Sequence, residues 1–354
     1  MPFYFEVKIT CMKIVSVHKI WLCLFPALLL NACSRYSNKR DYTFVVAGDN
    51  RVAPSDSLGD ASTANVYQLK RMFSEIADLK PVPKYFFFLG DLVLGYTGDT
   101  VRQERELREW KKLYLESPLA KTGVRLIAVP GNHETCEKIG SGRVAMPAYE
   151  RIFIREMKDY IAGNNGPAAT GLIPGTDSLM TDQACLTYSF DYGGDHFVVL
   201  NTDPVDRESR VPYHWLEQDL KSAHKNGARH IFLFGHKPAY TPNSRGDGLD
   251  QFLSNRDSAW IAMIDNDCDA YFASHYHLWD TIHPDGNKRT WQIISGNAGA
   301  PLAKEWLTAY FGFTIVRVGS KVDITSMGRD VDREHQTAPA PDKSTVVRAH
   351  LVIN

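Results

Sequence analysis

Several segments of this chain carry residues that could bind metal ions or move protons. They are Gly48-Asp49-Asn50-Arg51, Gly90-Asp91, Pro130-Gly131-Asn132-His133-Glu134, Gly235-His236 and Ser274-His275-Tyr276-His277. Two Asp, one Asn and several His make a mixed oxygen and nitrogen donor set, which suits Mn, Fe, Zn or Co and suits Ca poorly. Taken singly, each piece has an ordinary explanation. Gly-Asp is a common turn, and a lone His is more often a satisfied core or surface residue than a ligand. Five such segments in order, each directly after an apolar run, are much harder to obtain by chance.

The elements that must position these residues are legible from hydrophobic pattern. Apolar runs rich in aromatic and β-branched residues read as strands at Thr43–Ala47, Tyr85–Leu89, Val124–Val129, His196–Leu200, His230–Phe234 and Ala270–Ala273. Stretches between them have helical periodicity: Asn65–Leu79, Val101–Glu116, Pro147–Tyr160, Pro212–Lys225 and Leu249–Ile264. Pro212 stands where a first helical turn favours proline. The alternation predicts an α/β layered fold, and the tight Asp191-Tyr192-Gly193-Gly194 turn makes some neighbouring strands antiparallel. Ligands of α/β sheets sit beyond the carboxyl ends of strands, so loops far apart in sequence can converge on one site. Past Pro301 two further strands are expected, Thr308–Val318 and Lys321–Ser326. A polar tail follows from Gly328, Pro- and Ala-rich over Thr337–Ser344, and Val346–Ile353 could add a terminal strand.

From Tyr42 to about Leu302 the chain resembles the calcineurin-like metallophosphoesterase superfamily. Its pattern is Asp-x-His, Gly-Asp-x-x-Asp, Gly-Asn-His-Glu, Gly-His and Gly-His-x-His. Gly131-Asn132-His133-Glu134 with the downstream His275-x-His277 carries the resemblance most specifically. Gln218 within Trp215–Leu220 and the segment Ser295–Leu302 are similar to secreted members. The resemblance implies a four-layer fold, a central β-sandwich flanked by helices, holding two divalent metal ions (Mn, Fe, Zn or Co) at the strand ends. It implies that Asp91 bridges the metals, that Asn132, His236 and His275 complete the second, and that Asp49 and His277 hold the first. Such a pair polarises phosphoryl oxygens and makes hydroxide available near neutral pH, which attacks phosphorus in line. His133 would protonate the leaving oxygen or stabilise the charge on the transferring group.

Two departures fall on one half of this site. Arg51 stands where the family has a His ligand, and Leu94 where it has Asp, or Tyr in purple acid phosphatases. Arginine is cationic and cannot ligate a metal. Its planar fork suits a phosphate oxygen, which makes Arg51 a candidate catalytic residue; a loop cation paired with an acid is the plainer alternative. Leu94 removes the carboxylate that usually orients the catalytic His and lacks the tyrosinate of purple enzymes. Asp99, Tyr96 and Asp203 are candidates to repair the first metal position, Asp203 being the best placed. Glu137–Gln183 reads as an insertion near the site mouth that could form a lid or specificity loop. Tyr240, Arg245, His214 and Tyr276 could touch the rest of a substrate.

Composition bounds the partners. In 354 residues, 40 Lys+Arg against 41 Asp+Glu give a net charge of -1, and with no basic block no dedicated nucleic-acid binder is expected. With 44% hydrophobic and 23% charged residues the chain is ordinary and globular rather than disordered or fibrous. Ile20–Leu30 is an apolar run behind Lys13, His18 and Lys19, the order of a secretory signal, with Met12 a better start than Met1. It is too short to span a bilayer, which takes roughly 20 residues. Leu30-Asn31-Ala32-Cys33 resembles a bacterial lipobox and would lipidate Cys33. The expected organisation is a signal over residues 1–33, a metallophosphoesterase domain over 42–334 and a tail over 335–354. A bacterial lipoprotein of the periplasm or cell surface follows, acting on a phosphorylated small-molecule, lipid or nucleotide substrate. Cys136 and Cys185 could pair. The functional expectation is an exported phosphoesterase acting on phosphate mono- or diesters. The rival is a binding protein on the same fold that keeps one metal and recognises a phosphorylated ligand without turnover; a third reading, a protein phosphatase, has export and the missing second-motif Asp against it.

Overall fold

The computed structural model describes residues 40–353, apart from 58, 244, 245, 285, 287, 288, 307, 308, 333–335 and 337–342. The expected signal and lipobox, Arg245 and most of the Pro- and Ala-rich tail segment lie outside the described residues. Among those described, no helix is long and apolar enough to cross a membrane.

The first half alternates strand and helix. β1 (Tyr42–Ala47), β2 (Tyr85–Phe88) and β3 (Arg125–Ala128) are separated by α1 (Val66–Ala77) and α2 (Thr100–Glu116). The single turn α3 (Asn132–Thr135), the hairpin β4 (Cys136–Ile139) and β5 (Gly142–Ala145), and α4 (Pro147–Met157) follow. The second half runs β6 (Tyr188–Tyr192), β7 (Asp195–Leu200), α5 (Tyr213–Lys225), β8 (Ile231–Gly235), α6 (Leu253–Asp265) and β9 (Ala270–Ala273). It closes with β10 (Trp279–Ile282), β11 (Trp291–Ser295), β12 (Phe311–Val318), β13 (Val322–Arg329) and β14 (Val346–Ile353). Two six-stranded sheets result, ordered β14-β13-β12-β1-β2-β3 and β10-β11-β9-β8-β7-β6. β1, β2 and β3 are parallel, as are β7, β8, β9 and β11. The Gly193-Gly194 turn joins β6 and β7 antiparallel.

Side-chain alternation explains the layers. Phe44, Phe87, Phe197, Phe234 and Phe272 fill the space between the sheets. The opposite faces, carrying Val45, Phe86 and Phe88 on one sheet and Leu233, Tyr271 and Ala273 on the other, pack under helices. Strands buried on both faces have no reason to alternate with polar residues, and this is why they read as continuous apolar runs. The order is helix, sheet, sheet, helix, with the sandwich in the middle.

Three local differences from the sequence reading have physical causes. Pro212 caps α5 instead of opening it, and Leu249–Phe252 winds as a 3-10 turn before α6. β4, β5 and β10 are short, largely exposed or half-exposed and carry little apolar signal, and β11, though buried, is only five residues long and includes the polar Gln292 and Ser295. Cys136 and Cys185 are unpaired thiols, so the expected disulfide is not formed.

Candidate metal centre

The acidic residues reach the site through strained backbone. Asp49 and Asp91 stand just beyond β1 and β2 with φ of 61° and 54°, and His275 just beyond β9 with φ of 70°. This left-handed region costs about 1–3 kcal/mol for a residue with a Cβ and persists where the surroundings enforce it. The enforcement is visible. Asp91 N–H and Gly131 N–H both donate to Glu134 Oε2 at 2.9 Å, and Val93 N–H donates to Oε1 at 3.2 Å. Gly131 must be glycine, since a Cβ there would meet the Asp91 backbone nitrogen at 2.4 Å. Helix α2 ties the same loops from behind: Gln103 donates to the His133 carbonyl at 3.3 Å, and Glu106 accepts from Gly95 N–H at 3.0 Å.

Four donors then converge on one point. The Leu89 carbonyl 2.8 Å from His236 Nδ1 can only accept, so that nitrogen carries the proton and Nε2 offers a bare lone pair. His236 Nε2 lies 2.8 Å from Asn132 Oδ1, 3.0 Å from His275 Nδ1 and 3.2 Å from Asp91 Oδ1. Burial first, and neighbouring His275, lower the His236 pKa to about 4, against the pull of Asp91. The ring is therefore neutral at pH 7, and four acceptors face one another in a dry place. A divalent cation satisfies that set.

The point just described is the second metal position; the first is the cluster Asp49, Asp91 and His277, whose ligand atoms lie within 4.8 Å of one another. Both Asp49 oxygens are buried without a hydrogen-bond partner, and burial followed by the charge of Asp91 pushes its pKa well up. An orphaned buried carboxylate calls for a cation. His277 Nδ1 donates to the Pro301 carbonyl at 2.6 Å, leaving Nε2 open. Here a cation is already present. Arg51 Nη2 donates to His277 Nε2 at 3.3 Å, and Arg51 Nε lies 3.7 Å from Asp91 Oδ2. The second position thus fits a metal by its donors alone, whereas the first has three donors and a guanidinium competing for one of them.

His133 stands between the clusters. Its Nδ1 donates to the Leu94 backbone carbonyl, and its Nε2 lies 3.7 Å from Asp91 Oδ2. Burial, then Arg51, hold its pKa well below the ordinary histidine value. Replacing the expected carboxylate by Leu94 does not free the imidazole, because the main chain supplies the orienting acceptor.

The candidates for repairing the first position go elsewhere. Asp203 accepts from buried Lys237 Nζ at 2.5 Å. Asp99 caps α2 through the N–H groups of Val101 and Arg102. Tyr96 Oη accepts from Asn132 Nδ2 and from Arg143 Nη1. Of the residues expected near substrate, Tyr276 lines the cavity. Tyr240 packs edge-on against Trp260 and His214 packs at a tilt against Tyr213, neither of them lining it. The cavity, of about 530 Å³, has Arg51, His133, His275 and His277 on its floor and Lys138, Arg143 and Lys304 on its walls. Lys138 and Arg143 come from the β4–β5 hairpin, so the start of the insertion does border the site. Glu134, Gln103 and Asp247 were missed as site residues; only Glu134 had a sequence signal, its place in Gly131–Glu134.

Comparison with known proteins gives the family. A family model described as calcineurin-like phosphoesterase matches residues 42–278. The chain belongs to that family. Among relatives of this calcineurin-like phosphoesterase, the serine/threonine-protein phosphatase CPPED1 of Bos taurus is 26% identical over 231 residues, 63% of this chain and 62% of that protein. The chain thus spans less than two thirds of that relative's length. Purple acid phosphatase PPD1 from yellow lupin seeds shares the fold at TM-score 0.55 with 16% identity, over 88% of this chain and 54% of the other. GAP50, described as the anchor in the inner membrane complex of Plasmodium, shares it at 0.53 with 13% identity, over 87% and 89%. At such identities these two likenesses speak for the fold alone.

Proposed function

We propose that this calcineurin-like phosphoesterase hydrolyses phosphate monoesters or diesters with divalent metal held by Asp91, Asn132, His236 and His275, and by Asp49, Asp91 and His277. The observation that carries the reading is the convergence of four lone pairs on one buried point beside His133 and Arg51. When bound, divalent ions supply charge neutralisation of the phosphoryl group and a water acidic enough to act near neutral pH.

The chain's own residues supply the rest. Arg51 presents a planar fork over the first cluster that can take two nonbridging phosphoryl oxygens. His133 has committed Nδ1 to Leu94, so Nε2 is the atom that exchanges a proton with the leaving oxygen. Burial disfavours its imidazolium form, and an arriving phosphate dianion favours it. Lys138, Arg143 and Lys304 draw anionic esters to the mouth. Export, with Cys33 lipidated at a bacterial membrane, is supported by the order of charged and apolar residues ahead of it.

A second reading has a specific observation behind it. Arg51 contacts two of the three first-cluster donors, which favours a single-metal protein, and in the extreme a binder of phosphorylated ligands without turnover. One experiment separates them. The chain from Ser34 onward is loaded with Mn, Zn or Fe and assayed on chromogenic phosphate mono- and diesters, with metal per chain measured. The expected result is hydrolysis that falls roughly 100- to 10,000-fold in His133→Asn and disappears together with bound metal in Asp91→Asn. Two ions per chain support the paired reading. One ion, rising towards two in Arg51→His, supports the single-metal reading. Equal, negligible rates in all proteins sink the enzyme.

A further inference from the structure

We infer that Tyr96, Arg143 and Asp247 are positioning residues that set the affinity of the second metal position, an inference that rests on the metal reading above. Six contacts close into a ring through six residues. Asn132 Nδ2 donates to Tyr96 Oη, and Arg143 Nη1 donates to the same oxygen at 3.3 Å. Arg143 Nη2 donates to both oxygens of Asp247. Asp247 Oδ2 faces His275 Nε2 at 3.4 Å. His275 Nδ1 meets His236 Nε2, and His236 Nε2 meets Asn132 Oδ1, at the converging point.

Each contact settles something a ligand needs. An amide can present oxygen or nitrogen; with Nδ2 given to Tyr96, Asn132 must turn its oxygen inward. An imidazole can present either nitrogen. A carboxylate opposite His275 Nε2 keeps the proton there and leaves Nδ1 bare for the ion. Arg143 joins the two devices, and Asp247 is braced by Gln251 Nε2 at 3.2 Å and by its own N–H on Tyr276 Oη at 3.3 Å. Tyr96 belongs to the loop after β2, Arg143 to β5 and Asp247 to the segment before α6, so the ring staples the β4–β5 hairpin across the site. The hairpin thereby acts on the metal position as well as on the mouth.

The test reads binding of Mn²⁺ to the chain from Ser34 by equilibrium dialysis with metal quantification, and the paramagnetic resonance signature of the bound ion. Wild type is compared with Asp247→Ala, Tyr96→Phe and Asp247→Glu. The expected result is Mn²⁺ dissociation roughly 10- to 100-fold weaker in Asp247→Ala and Tyr96→Phe, with an altered signature. Asp247→Glu should recover part of the loss, and the metal-free variants should still unfold in one cooperative transition. Affinities within twofold of wild type in both loss variants would overturn the inference while leaving the metal reading intact. A wild type that binds no Mn²⁺ would overturn both.

Discussion

At the scale of single residues, two departures from the family pattern behave differently in three dimensions. Arg51 changes the chemistry of its position: it brings a permanent cation to a cluster whose other members are donors, and one of its contacts is the nitrogen that would otherwise ligate. Leu94 changes less than its side chain suggests. The acceptor that orients His133 is the Leu94 carbonyl, and every residue type has one. We therefore expect Leu94→Ala to leave kcat/KM on the preferred ester within about threefold, less than about 1 kcal/mol of transition-state stabilisation. Steady-state kinetics check this, and a drop beyond tenfold would mean that the side chain takes part. The pattern of Asp-x-His and Gly-Asp-x-x-Asp letters revealed both departures but could not rank them. Side-chain identity is written in a sequence, whereas the path of a carbonyl is not.

At the scale of elements, the second sheet carries its own polar lock. His196 on β7 lies 2.7 Å from Asp191 Oδ1 on β6 and 2.8 Å from Asp219 Oδ2 on α5, tying strand, neighbouring strand and covering helix together. Burial alone would lower the pKa of this ring, but hydrogen bonds to Asp191 and Asp219 and their charges outweigh it and raise the value to about 9. A folded-state pKa above the unfolded value of about 6.5 contributes stability that is fully present below about pH 6.5 and is lost as pH rises through about 9. The difference between the two values bounds the contribution at about 3 kcal/mol. Urea unfolding from pH 6 to 9.5 should show this decline in wild type and a flatter profile in His196→Gln. Equal slopes in the two proteins would remove His196 from the account. Both partners were visible in the sequence, Asp191 at the tight turn and Asp219 in the helix, but their meeting depends on α5 lying across β6 and β7.

At the scale of the whole molecule, the site is a by-product of sandwich packing. Strands of both sheets end at the same edge, and the aromatic core between them fixes how far apart the ends lie. Phe87 from the first sheet stacks on Phe234 from the second with ring centroids 3.7 Å apart, and both are fully buried. Truncating such a ring leaves a cavity that close-packed neighbours fill only in part. Phe87→Ala is expected to lose about 3–5 kcal/mol of stability. Calorimetry and denaturant titration measure this, and a loss below about 1 kcal/mol would show that the sheets are held mainly by their outer helices.

Taken alone, the sequence determined the layered α/β class, most strands, the helices to within a few residues, and the loops that meet at the candidate site. It could do so because double burial leaves continuous apolar runs, and because each ligand stands beside the strand end that presents it. Val346–Ile353 was legible as a strand from its apolar and β-branched residues, although it is a largely exposed edge strand whose pairing with β13 was not legible. What the tertiary structure alone decided was partnership across long separations. Asp203 belongs to Lys237 and not to a metal, and Cys136 and Cys185 do not meet as a disulfide. Arg51 reaches His277 across 226 positions, and Asp247 reaches His275 from a loop with no sequence signal at all. Those contacts depend on where two sheets and a hairpin bring side chains in space, and hydrophobic period encodes only which face of an element is buried, not which neighbour lies on the far side.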